Sequence, residues 1–293
     1  MTTTRSPSAS FPSASLENEF VRVDYLTTTG PRIIGLYAQG VDGNLFAETP
    51  DARWPTPHGE FILHGGHRLW IAPEDPFHTC PEDGVDVCLE RDRVILKSPV
   101  DASGLQKEII LHLEENCLHL THRVEWHGEK PIELAPWAIT QLRLGGVGIL
   151  PQPVSDGLQP NRNLVFWPYS QINDERLELH DDLILIHGNA NEQALKIGNY
   201  NTHGWIACAL GNVLFIKKFR FSATAKYPDL GCNVEAYVKD SCLELETLGP
   251  LVKLMPNESV THEETWQVLV GEYPGTLEGA RGIIKRLSLQ SAA

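Results

Sequence analysis

The stretch LHGGHRLWIAPEDPFH, residues 63 to 78, gathers groups that can do chemistry and shows no helical period. His58, His64, His67, His78 and Cys80 lie within 23 residues, and imidazole and thiolate are both good zinc ligands. There is no HExxH and no paired Cys-x-x-Cys, and the gaps between these residues are irregular, so no metal is expected to be bound there. The segment reads better as one wall of a sugar pocket. Gly65 and Gly66 would let a ligand approach the backbone closely. Arg68 is a fixed fork of donors for hydroxyl groups or a phosphate, with Glu74 as its pairing partner or as a second ligand contact. Trp70 offers an apolar face to a pyranose ring, and His67 titrates near neutral pH.

A second group lies in NVEAYVKDSCLELETLG. In extended chain, Glu244 and Glu246 share one face while Leu243 and Leu245 take the other, and Asn233 and Glu235 share a face of the preceding strand. The short polar turn at Lys239 to Ser241 predicts a hairpin that brings these carboxylates together. Crowded carboxylates repel, and one shifts towards a general base of raised pKa. A third stretch, KPIELAPWAITQLRLGG, places Trp137 and Gln141 as a second ring wall and a polar contact. No GxSxG, Walker loop or GxGxxG occurs, so serine hydrolysis and nucleotide chemistry lack a motif.

The elements that must position these groups are strands. In CLHLTHRVEWHG, Leu118, Leu120, His122, Val124 and Trp126 alternate with polar residues, the period of a half-buried strand. The same rhythm of short strand and polar turn recurs along the chain and predicts an all-β fold. One helix is expected, in TLEGARGIIKRLSLQ, where Leu277, Ala280, Ile283, Ile284 and Leu287 form an apolar stripe that packs on a sheet. Residues 1 to 16, rich in Ser, Thr and Pro, read as a flexible lead-in, and residues 17 to 293 as a single domain with no internal linker or repeat.

A formal net charge of -14 opposes association with nucleic acid or anionic membrane, whereas a neutral carbohydrate remains a natural small-molecule partner. No secretory signal or membrane span is read, and six dispersed cysteines without such a signal suggest reduced thiols and a cytoplasmic location.

Together the three stretches resemble the galactose-mutarotase-like superfamily, in particular a bacterial branch with a GGHRLW-x-x-PE stretch and a late ELETLGP stretch. The matching residues are Gly65 to Trp70, Pro73 and Glu74, then Glu244 to Pro250. LAPWAITQ (134 to 141) and the segment 255 to 266 extend the resemblance over roughly residues 17 to 270. The resemblance implies a large antiparallel β-supersandwich of galactose-mutarotase type, with a sugar pocket on a concave sheet face. It also implies aldose 1-epimerase chemistry without a cofactor: a histidine protonates the ring oxygen while a glutamate takes the proton of the anomeric hydroxyl. By position Glu246 matches that glutamate, with Glu235 its rival. Where mutarotases show an HPYF-like motif this chain has PWAITQ, so the acid must come from elsewhere, and His67 is the expectation. The alternatives are a non-catalytic sugar-binding or sensor protein and a metal-dependent sugar isomerase or lyase.

Overall fold

A computed structural model of the chain describes residues 2–5, 11–81 and 84–291. Two large sheets face each other, and every strand pairing in them is antiparallel. The centre of the first sheet runs in the order Arg32–Ala38, His67–Ala72, Ile132–Leu142, Leu243–Leu248, Val234–Val238 and Leu195–Asn199. The centre of the second runs Val147–Pro151, Trp205–Leu210, Val213–Phe219, Ser259–Val270, Cys117–Trp126 and Leu105–Glu114. A separate hairpin, Glu48–Thr56 with Gly59–Gly65, stands beside the first sheet. The all-β expectation holds.

Alternation decides what each face carries. Leu69, Leu195, Ile197, Val234, Ala236, Leu243 and Leu245 point between the sheets and join one continuous core with Leu111, Leu120, Phe215 and Trp266. The neighbours of these residues along each strand therefore turn to the outer face of the first sheet. There Phe61, Trp70, Trp137, Ile139 and Leu248 form a smaller apolar cluster under the hairpin. The helix Leu277–Ser291 packs Ala280, Ile283 and Leu287 on the outer face of the second sheet, against Ile149, Leu185, Trp205 and Ile216.

The described part of the lead-in contributes strands Thr2–Arg5 and Ser13–Glu17, which extend the edge of the first sheet through pairing with Val21–Leu26, and residues 1 and 6–10 lie outside the described residues. One expectation needs correction. The glycine pair serves backbone crossing and not ligand approach. Gly65 and Gly66 have φ of 98° and 69°, and a Cβ on either would overlap the carbonyl oxygen of Ala47 or Ile33. Gly66 N–H donates to Ala47 O at 3.0 Å, and Gly66 O accepts from Gln141 N–H at 2.8 Å. All six cysteines are free thiols.

Candidate functional site

The outer face of the first sheet holds a cavity of about 640 Å³, roofed on one side by Trp54 and Leu63 of the hairpin. Its floor is made by side chains that project from five adjacent strands. Arg68 and Trp70 come from the first, Trp137 and Gln141 from the second, Glu244 from the third, Tyr237 from the fourth and Lys196 from the fifth. Glu74 and Tyr169 stand at the rim. Burial raises the pKa of the phenols of Tyr169 and Tyr237, so both keep an O–H to donate.

Two ion-paired centres lie on this floor. Both terminal nitrogens of Arg68 donate to Glu244 Oε1 at 3.2 Å, and the guanidinium lies 4.2 Å from the Trp70 ring centre. The expected Arg68–Glu74 pairing is replaced by this one. Lys196 forms the second centre. Its Nζ lies 2.8 Å from Glu235 Oε2 and 3.1 Å from Glu246 Oε2, and 4.3 and 4.6 Å from the ring centres of Trp137 and Trp167. Trp137 Nε1–H donates to Glu246 Oε2 at 2.7 Å.

The predicted hairpin is present, with Glu235 directly opposite Glu246 and Tyr237 opposite Glu244 in register. Glu246 and Glu235 are fully buried beneath Lys196, whereas Glu244 reaches the cavity itself. Burial pushes the Glu235 carboxyl well above the usual range; Lys196 pulls it back, and Glu246 and Asp229 add to the rise. Burial also raises Glu244, against the pull of Arg68. Burial works against the charge of Lys196, yet Glu246 and Glu235 outweigh it and hold the ammonium above its ordinary pKa. Three buried polar atoms of the floor, Arg68 Nε, Trp70 Nε1 and Gln141 Oε1, and one directly beneath it, Glu246 Oε1, have no hydrogen-bond partner among the described residues. Two are donors and two are acceptors, the mixture a sugar hydroxyl satisfies from both sides.

Two expected site residues lie elsewhere. Asn233 accepts from Asn201 N–H at 2.7 Å and donates to Asn201 O at 2.8 Å, so its amide staples a loop. His67 points the other way from Arg68, as alternation along His67–Ala72 requires, and is fully buried between the sheets. His67 Nε2 meets His122 Nε2 at 2.8 Å, and His67 Nδ1 meets Thr140 Oγ1 at 2.9 Å. His122 Nδ1 donates to His262 O at 3.0 Å; a carbonyl only accepts, so a neutral His122 takes the His67 Nε2–H at its own Nε2. Thr140 O–H then donates to His67 Nδ1, and both ring nitrogens are used. Burial also drives His67 well below the usual histidine pKa, helped by His122, Lys217, Arg32 and Arg68.

The same interior network continues through Thr247, which contacts His262 Nε2 at 2.8 Å and donates to Glu264. Glu264 also accepts Trp266 Nε1–H at 2.7 Å and pairs with Lys217 Nζ at 3.1 Å. Lys217 donates further to the carbonyls of Ala138 and Leu245, each at 3.1 Å. His67, His122 and Glu264 bring metal-competent atoms within 4.8 Å of one another. Hydrogen bonds already occupy those atoms, and Lys217 supplies the cation beside Glu264. The other residues of the histidine-rich segment are dispersed: His58 bonds Phe77 O at 2.7 Å and His78 bonds Asp75 at 2.6 Å.

Sequence reasoning did not single out Lys196. Its signal was a single charged residue set between Leu195 and Ile197 in the strand LKIGN.

No family model and no curated protein matches the sequence. Solved structures do. A galactose mutarotase-like protein from Lactobacillus casei superposes with a TM-score of 0.55 at 10% identity, over 88% of this chain and 100% of that one. A presumed aldose 1-epimerase from Escherichia coli K12 gives 0.55 at 14% identity, over 92% and 100%. Another from Klebsiella pneumoniae gives 0.55 at 10%, over 94% and 83%. The central sheets, the outer-face cavity and these likenesses together identify the architecture as the galactose-mutarotase-like β-supersandwich.

Proposed function

We propose that the cavity binds a monosaccharide or sugar derivative and that its floor interconverts the anomers at C1 by cofactor-free general acid–base catalysis. One observation carries this reading: ion-paired Arg68–Glu244 and Lys196–Glu246 centres lie among Trp54, Trp70, Trp137 and Tyr237, with unpartnered donors and acceptors between them. Aromatic faces cover the apolar side of a pyranose while fixed polar groups orient its hydroxyls. Glu246, whose Oε1 has no partner, is the base for the anomeric proton. The volume of the cavity lies in the range of small-ligand pockets. Structures described as aldose 1-epimerases share the fold, which agrees with this reading.

A non-catalytic sugar-binding protein is the second reading, favoured by the removal of His67 from the cavity. Both readings require saturable binding. Ligand-observed NMR with a panel of aldoses, amino sugars and sugar phosphates is expected to show at least one bound ring, with weaker binding by Arg68→Met. A panel without a binder would overturn both.

A further inference from the structure

Among the groups described above, a histidine acid is missing at the cavity, while one buried ammonium faces two buried carboxyls. We propose that Glu235, Lys196 and Glu246 form a unit holding one exchangeable proton, which rests on Glu235 when the cavity is empty and reaches a bound sugar through Lys196. The proposal rests on the sugar reading for the ligand, but the shared proton rests on geometry alone.

Arg68 is committed to Glu244, so Lys196 is the cation left to balance Glu235 and Glu246, both fully buried. Two carboxylates directly opposite in register and bound to one ammonium leave an uncompensated negative charge, and a buried site neutralises it by taking up a proton. Donors decide where that proton rests. Glu246 receives Trp137 Nε1–H and a directed Lys196 bond, which a carboxylate accepts. Glu235 Oε2 lies 2.8 Å from Lys196 Nζ, yet neither Glu235 oxygen completes a directed hydrogen bond, and its other near neighbour is the Asp229 carboxyl, itself raised by burial. The proton therefore belongs to Glu235.

Lys196 is the member of the unit that reaches the cavity, held between the Trp137 and Trp167 rings. Its ammonium is too firmly protonated to be a net donor by itself. Resupply solves this. Lys196 gives one proton to the ring oxygen as it takes the proton of Glu235, and Glu246 takes the proton of the anomeric hydroxyl. The bond between C1 and the ring oxygen breaks, its electron pair stays on oxygen, and the C1 carbonyl forms. Glu235 ends as carboxylate, Glu246 as acid and Lys196 unchanged; closure on the other face of C1 runs the same steps backward. Glu235 acts through Lys196 and is a positioning group; Lys196 faces the sugar, and Glu246 takes the anomeric proton from directly beneath the floor.

Infrared spectra of the full-length protein at neutral pH test the shared proton. The expected result is a protonated-carboxyl band in the wild type that Glu235→Gln loses. Glu246→Gln should lose it too, because Glu235 then has Lys196 to itself and ionises. A wild type without the band, or a band that either substitution leaves unchanged, overturns the shared proton. Lys196→Arg tests the relay, since a guanidinium keeps the charge but does not give up its proton. In NMR anomer exchange, Lys196→Arg should still bind sugar but slow exchange by about a hundredfold or more. Undiminished exchange in Lys196→Arg overturns the relay. A wild type that binds no sugar overturns the sugar reading and the relay together, and the infrared result still decides the shared proton.

Discussion

Charged and titratable groups are buried on both faces of the first sheet, but with opposite outcomes. Between the sheets, His67, His122, His262, Thr247, Glu264 and Lys217 close on one another until every donor has an acceptor. On the outer face, Arg68, Trp70 and Gln141 each leave a buried polar atom unpartnered beside a cavity, and Glu246 leaves one beneath its floor. A closed network contributes to fold specificity, whereas an open one costs stability unless a ligand completes it. The same strands carry both sets. Ala138 O and Leu245 O, held by Lys217 from inside, flank Trp137 and Glu246 on the outside.

The largest effect is expected between the sheets. Lys217→Met leaves Glu264 buried without its cation and should cost about 3–5 kcal/mol of unfolding free energy in denaturant titration. A loss no larger than that of a surface substitution would refute the closed network. On the outer face, Trp137→Phe keeps a ring but removes the N–H to Glu246. Its expected cost is about 1.5–3 kcal/mol by the same measurement.

Acid should distinguish the faces by sign. Burial lowers the pKa of His122 and brings His262 down to about 3, so the unfolded chain binds protons that the native chain refuses. Stability contributed by the inner network should therefore fall as pH drops below the ordinary histidine value of about 6.5, by up to about 1.4 kcal/mol per pH unit per histidine. The raised Glu235 acts the other way: the native chain holds its proton more tightly, so its contribution is present at low pH and is lost as pH rises through the raised pKa. Denaturant midpoints at several pH values should fall towards acid in the wild type and fall more steeply in Glu235→Gln. Parallel curves would contradict the assignment. The smallest effect is expected at the roof, where Trp54→Ala in the half-buried hairpin should weaken sugar binding about tenfold, or about 1.4 kcal/mol, with little change in unfolding.

Much of the outer face was legible because a strand has a period of two. LELET placed Glu244 and Glu246 together, and the turn at Lys239 to Ser241 predicted their pairing with the strand of Glu235. The same rule should have separated His67 from Arg68, since consecutive strand residues point to opposite faces. Chemistry suggested by residue type outweighed geometry there. Lys196 was missed because its value lies in Glu235 and Glu246, some 40 to 50 residues later. The inner network joins residues 67, 122, 217 and 262, whose meeting depends on strand order in two different sheets and not on any local pattern. The Gly65–Gly66 pair signalled close approach correctly, but the object approached is the chain's own backbone.

The central claim is that the outer face does chemistry on a sugar as well as binding one. Saturation-transfer NMR of anomer exchange, run on the bound sugars with wild type and Glu246→Gln, tests it most directly. Exchange should be accelerated by the wild type and slowed by about a hundredfold or more in Glu246→Gln, with sugar still bound. Exchange that the wild type does not accelerate, or that Glu246→Gln supports equally well, would contradict it.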